Sequence, residues 1–135
     1  MSYFLLISCG DPLGIGYELA LKLVCYQQYY KEEKFVPVLI GNSSWIKFIS
    51  NKYGLNCNPL IINENLLKNI SFIHLPKKNF ILVDILPKLK QHNVKQKSGL
   101  LSLYTLDKLC DVINLLLNTD KRFGVLTMPV SKHKI

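Results

Sequence analysis

Arginine is almost absent from this sequence: Arg122 stands alone, although lysines carry the chain to a formal net charge of +8. A surface built to read nucleic acid uses arginine for bidentate contacts. No aromatic and basic stacking motif compensates here, so nucleic acid is not an expected partner. Long apolar runs are missing as well. Stretches such as Phe80 to Val83 and Leu115 to Leu117 fall far short of the roughly 20 residues that span a bilayer. No membrane span is expected. The opening residues are apolar but have no basic segment ahead of them and soon meet Asp11, so they read as a buried strand rather than a signal peptide, and a cytoplasmic chain is expected. The four cysteines, Cys9, Cys25, Cys57 and Cys110, form no C-x-x-C pair, which favours buried free thiols. His74, His92 and His133 are each isolated from the cysteines, so these groups predict no metal site. No internal repeat or low-complexity segment is present.

What the sequence does contain is a regular alternation. With 135 residues, 49% hydrophobic and 19% charged, it fits one globular domain over residues 1–135. Tyr3 to Ser8 is a short apolar run closed by Cys9-Gly10-Asp11-Pro12, the pattern of a buried strand. After Gly16 the period becomes helical, with Ile15, Leu19, Leu23 and Tyr26 as the apolar stripe. Val36 to Ile40 predicts a second strand, Gly41 to Ser44 a turn with N-cap chemistry, and Trp45 to Tyr53 a helix. Asn58 to Ile62 and Phe80 to Ile85 read as strands, with short elements around Leu66 to Asn69 and Phe72 to Leu75 between them. Gln91 to Lys97 is polar and reads as a loop. Leu103, Leu106, Leu109, Cys110, Ile113, Leu116 and Leu117 mark the stripe of a long helix from about Gly99 to Asn118, before a last strand, Phe123 to Thr127. Strands alternating with helices of this length predict an α/β fold, a mainly parallel sheet with helices on both faces.

Two loops could carry chemistry. Gly10-Asp11-Pro12-Leu13-Gly14-Ile15-Gly16 joins a buried strand to a helix start, where backbone N–H groups and the helix dipole can hold an anion. Its glycines permit close approach of backbone to ligand. The spacing matches neither the dinucleotide fingerprint nor the Walker A loop, so a tight structural turn is an equally open reading. The second is Thr127 to Lys132, which leaves the carboxyl end of the last strand with a hydroxyl and a cation. Ligands of open α/β sheets bind beyond such ends, while a solvated surface lysine is the plainer alternative. If the first and last strands are neighbours, both loops share one crevice suited to a small phosphorylated anion. The candidate binding residues are then Gly10, Asp11, Gly14, Gly16, Thr127 and Lys132.

The stretch from Gly10 to Glu18 resembles the GDPxGIGPE opening of the 4-hydroxythreonine-4-phosphate dehydrogenases. Pro37 to Asn42 resembles that family's second strand and following turn, Ser98-Gly99 its helix-opening pair, and Phe123 to Lys132 its T-A-P-x-x-K segment. Tyr17, Phe123 and Met128 stand where the family has proline, aspartate and a small residue. The resemblance implies the N-terminal part of an isocitrate/isopropylmalate dehydrogenase-like fold. It also implies NAD and a divalent metal as cofactors, a small phosphorylated substrate, and a homodimer. In the family, hydride passes to NAD from the hydroxyl-bearing carbon, a metal polarises the oxygen, and the 3-oxo acid loses carbon dioxide on the way to pyridoxal phosphate. The histidine ligands of that metal belong to segments beyond Ile135, so the chain alone is expected to be inactive. A non-catalytic remnant or a small anion-binding module is the alternative.

Overall fold

In a computed structural model, residues 3–25, 35–69, 80–85 and 93–129 are described. The elements are β1 (Tyr3–Ser8), α1 (Gly16–Cys25), β2 (Phe35–Gly41), α2 (Ser43–Tyr53), β3 (Pro59–Ile62), a 3-10 turn (Glu64–Lys68), β4 (Phe80–Asp84), α3 (Val94–Leu117) and β5 (Phe123–Thr127). The expected element at Phe72 to Leu75 lies outside the described residues.

The strands form one parallel sheet in the order β3-β4-β2-β1-β5. From β1 to β2 and on to β3 the chain steps one way across the sheet; from β3 to β4 and on to β5 it steps back. Right-handed crossovers therefore put α1 and α2 on one face and the 3-10 turn with α3 on the other. The packing agrees, since α1 meets α2 while α3 meets the 3-10 turn, β1 and β2. Covered on both faces, the central strands bury Phe4, Leu6, Ile7, Val38, Leu39, Ile40, Ile81 and Leu82 completely. That explains why they read as continuous apolar runs rather than alternating ones. Each such side chain contributes about 1.5–3 kcal/mol. β5 closes one edge of the sheet, with Val125 and Leu126 partly exposed.

Two helical faces differ from expectation. In α1 the buried residues are Gly16, Tyr17, Ala20, Leu21 and Val24, whereas Ile15 and Leu19 are 61% and 42% exposed. Small residues at Gly16 and Ala20 let the helix lie close to the sheet beside Leu21, and Leu19 and Leu23 are left outside. α3 begins at Val94, not near Gly99, so the polar stretch read as a loop supplies its first turn and Ser98 lies a turn inside. Its buried face is Val94, Ser98, Leu101, Ser102, Thr105, Leu109, Val112 and Leu116, while Leu103, Cys110 and Leu117 are exposed. Polar residues tolerate that face because the Ser102 and Thr105 hydroxyls donate to the Ser98 and Leu101 carbonyls, at 2.9 and 2.6 Å.

Candidate functional site

β1 ends at Ser8, and the Cys9 amide extends its ladder by donating to Ile40 O at 3.0 Å. Gly10 then takes φ 79°, a conformation that residues with a Cβ rarely adopt. It is also pressed against the strand next door: a Cβ at Gly10 would overlap the Pro129 carbonyl oxygen. Asp11 donates its N–H to that same oxygen at 3.4 Å, and Met128 donates to Ser8 O at 3.0 Å. β1 and β5 are thus direct neighbours, and the two loops singled out in the sequence leave the sheet side by side. Thr127 pairs with Ser8 at the end of β5. Lys132 lies outside the described residues.

Asp11 is buried and shapes the loop from within. Its Oδ1 accepts from Leu13 N at 2.9 Å, and its carbonyl accepts from Gly14 N at 3.0 Å, an Asx-type turn that folds the chain toward α1. Trp45 Nε1 donates to Pro12 O at 3.0 Å, tying the loop to α2. At Gly16 a Cβ would overlap the Cys9 carbonyl oxygen and come within 2.8 Å of Met128 Cβ. The absence of a side chain at Gly16 is what lets the chain leaving β5 lie this close. Tyr17 is buried, and its hydroxyl accepts from Asn42 N at 2.9 Å, joining the start of α1 to the end of β2. Burial pushes both the Tyr17 phenol and the Cys9 thiol well up from their ordinary values, so both stay neutral.

The helix starts are not equivalent. At α2, Ser43 N and Oγ donate to the Asp84 carboxylate, each at 2.8 Å. Asn42 Oδ1 accepts from Trp45 N at 3.1 Å, and Asn42 Nδ2 donates to Ile85 O at 2.7 Å. That helix end is capped by its own Asn42 and by the Asp84 carboxylate of β4. In α1, by contrast, Leu19 N is the first to reach a helical carbonyl, Ile15 O at 3.0 Å, leaving Gly16, Tyr17 and Glu18 N–H groups without intrahelical acceptors. α3 also opens without a side-chain cap.

Those two starts meet at one crevice of about 470 Å³, walled by the glycine loop from Pro12 to Ile15, by Trp45 and Lys52 of α2, and by Val94 and Lys95 of α3. Glu18 also lines it, but its carboxylate is engaged by Lys22 at 2.8 Å. The Lys22 and Tyr53 hydrogen bonds hold Glu18 below the usual carboxylate range. Sequence reasoning missed Lys52, Lys95 and Trp45. Lys95 was assigned to a loop, and nothing in the local pattern brings α2 to the glycine loop. Gly14 lies on the rim, exposed, with only ordinary contacts around a Cβ built there.

These features define an open parallel α/β sheet with a loop-built crevice at the carboxyl edge of its strands, the class in which small ligands bind at that edge. Three solved structures share the fold. A 4-hydroxythreonine-4-phosphate dehydrogenase from Burkholderia phymatum superposes with a TM-score of 0.69 at 16% identity, over 99% of this chain and 38% of the other. One from Klebsiella pneumoniae gives 0.66 at 17%, over 99% and 39%. A Salmonella typhimurium protein assigned the same activity gives 0.65 at 21%, over 99% and 39%. This chain therefore spans less than two-fifths of those proteins' length. No family model matches the sequence, and no curated protein matches it.

Among the described residues no group of three His, Cys, Asp or Glu could hold a metal ion, and His74, His92 and His133 lie outside them. The described residues thus do not fit a metal centre. No helix among them is long and apolar enough to cross a membrane.

Proposed function

We propose that this chain is a 1–135 α/β unit of the 4-hydroxythreonine-4-phosphate dehydrogenase type, and that its part in that chemistry is to hold a small phosphorylated substrate. The observation that carries this reading is the crevice where the starts of α1 and α3 and the glycine loop come together, with Lys52 and Lys95 in its walls. Backbone N–H groups at α1 would cradle the phosphate, and the lysines would offset its charge. Gly10 and Gly16 hold the loop against β5; Asp11, whose carboxylate would repel a phosphate, positions the loop rather than touching the ligand. Gly14 on the rim permits close approach. Thr127 and Lys132 would complete the β5 side. NAD, a divalent metal and a homodimer are what the family resemblance adds to this reading.

Calorimetric titration with O-phospho-L-serine tests the reading. The wild-type chain binds, and the Lys52→Ala/Lys95→Ala double variant binds about tenfold more weakly, the loss expected when two solvent-exposed charge pairs worth up to about 1 kcal/mol each are removed. Lys132→Ala weakens binding in the same direction. Unchanged affinity in all variants would place the anion elsewhere.

The second reading is an anion-binding module without catalysis. It is separated from the first by incubation with 4-phosphohydroxy-L-threonine, NAD and a divalent metal. NADH formation by the 135-residue chain would exclude the module.

A further inference from the structure

Cys25 ends α1, and Cys57 lies in the connection from α2 to β3, 32 positions further on, yet their Sγ atoms are 3.2 Å apart. A disulfide brings two sulfurs to about 2.0 Å, so closure requires a movement of little more than an ångström. The connection can supply it, because residues 55–58 belong to no helix or strand. Both thiols are half-buried. Cys57 also lines a cleft of about 500 Å³ with Ser43, Ser44, Lys47 and Ser50, through which a small oxidant reaches the sulfur. The other two cysteines are differently placed: Cys9 is fully buried and Cys110 is exposed on α3.

We propose that Cys25 and Cys57 are a redox-reactive pair that closes to a reversible intramolecular disulfide on exposure to a peroxide. Cys57, facing the cleft, attacks first. Its sulfur bonds to one peroxide oxygen, the O–O bond breaks, and the departing hydroxide takes up a proton as water, leaving a sulfenic acid. Cys25 then attacks that sulfur: the S–S bond forms, the S–O bond breaks, and the hydroxyl leaves as water with the Cys25 proton. Two thiols lose two electrons and two protons, and one peroxide becomes two waters. The order of events is supported by the hydrogen bond between the sulfurs. It favours the Cys57 thiolate, drawing that group down to about 7, and pushes the Cys25 thiol up, with burial adding to the rise. Cys9, raised by burial alone, stays an inert thiol. The bond ties the end of α1 to the chain leaving α2, the two helices that flank the glycine loop. It stands independently of the proposed function.

The reduced 135-residue chain is treated with a small excess of hydrogen peroxide, then denatured with an alkylating agent and read by intact mass and peptide mapping. Alkylatable thiols fall from four to two, the chain loses the mass of two hydrogens, one linked peptide joins Cys25 to Cys57, and dithiothreitol restores all thiols. In Cys25→Ser the reaction stops at a Cys57 sulfenic acid, captured by dimedone. Four alkylated thiols after treatment, or a linked pair containing Cys9 or Cys110, would overturn the proposal; dimedone on Cys110 in place of Cys57 would overturn the order of attack.

Discussion

Replacing Gly16 with alanine isolates the close contact that joins the glycine loop to β5. Gly16 is the first residue of α1 and has no positive φ, so on helix propensity alone the change would stabilise by up to about 1 kcal/mol. The structure predicts the opposite sign. The new Cβ overlaps the Cys9 carbonyl oxygen and lies 2.8 Å from Met128 Cβ. Cys9 cannot easily yield, since its amide is bonded to Ile40 O at 3.0 Å, and the Met128 amide is bonded to Ser8 O at 3.0 Å. Overpacking a rigid site costs about 1–3 kcal/mol or more. Because backbone must move, the upper end applies, and the net loss is about 2 kcal/mol, a large share of the roughly 5–15 kcal/mol that holds a domain folded. Urea denaturation followed by Trp45 fluorescence should show the midpoint falling by about 1 M at unchanged slope. Gly14→Ala is the matched control two residues away: the nearest atoms to its Cβ are Asp11 O at 3.5 Å and Asp11 Cβ at 3.8 Å, so its stability stays within about 0.5 kcal/mol of wild type. Equal midpoints for the two variants would refute the packing argument.

Other positions separate further effects. Gly54, the C-cap of α2, has φ 63° and nothing within 4 Å of a built Cβ. Gly54→Ala should therefore cost only the left-handed backbone strain of about 1–2 kcal/mol, whereas Gly10→Ala, with strain and overlap together, should cost more in the same urea assay. Glu64 pairs with Lys108 at 3.0 Å and links the 3-10 turn to α3. Burial opposes its ionisation, but its own backbone N–H and Lys108 outweigh that and lower its pKa below 4.5. A depressed carboxylate stabilises above its unfolded value and loses that contribution as pH falls through the folded one. Glu64→Gln should thus lower stability near neutrality by at most about 1 kcal/mol, with the difference vanishing as pH drops below 4.5; a constant difference across pH would contradict the pairing. Trp45, whose indole N–H holds Pro12 O at 3.0 Å, should change its fluorescence when O-phospho-L-serine fills the crevice, and Lys52→Ala/Lys95→Ala should suppress that change at the same ligand concentration.

The sheet and its two conspicuous loops were legible because buried parallel strands print themselves as unbroken apolar runs, and glycine at Gly10 and Gly16 marks backbone that no side chain can share. Helix faces were less so. Counting leucines in α3 chose Leu103 and Leu117, both exposed, while the true face uses Ser98, Ser102 and Thr105. The Ser102 and Thr105 hydroxyls bond back to their own helix and so can be buried, and a hydropathy pattern cannot see those bonds. The same blindness hid the start of α3 at Val94 behind Lys95, Gln96 and Lys97. Contacts between elements were out of reach altogether. Lys52 and Lys95 line one crevice only because α2 and the start of α3 both reach the glycine loop, and Cys25 and Cys57, scattered in sequence, come together through the packing of α1 and the α2 to β3 connection.

On the proposed function, the glycine loop and the crevice beside it hold a phosphate. Amide chemical shifts of the isotope-labelled 135-residue chain, followed as O-phospho-L-serine is added, decide the matter. Saturable shifts are expected at residues 10–18, 94–95 and 127–132, with the Gly16, Tyr17 and Glu18 amides moving most. Saturable shifts centred instead on the capped start of α2, or no saturable shifts at all, would contradict the proposal.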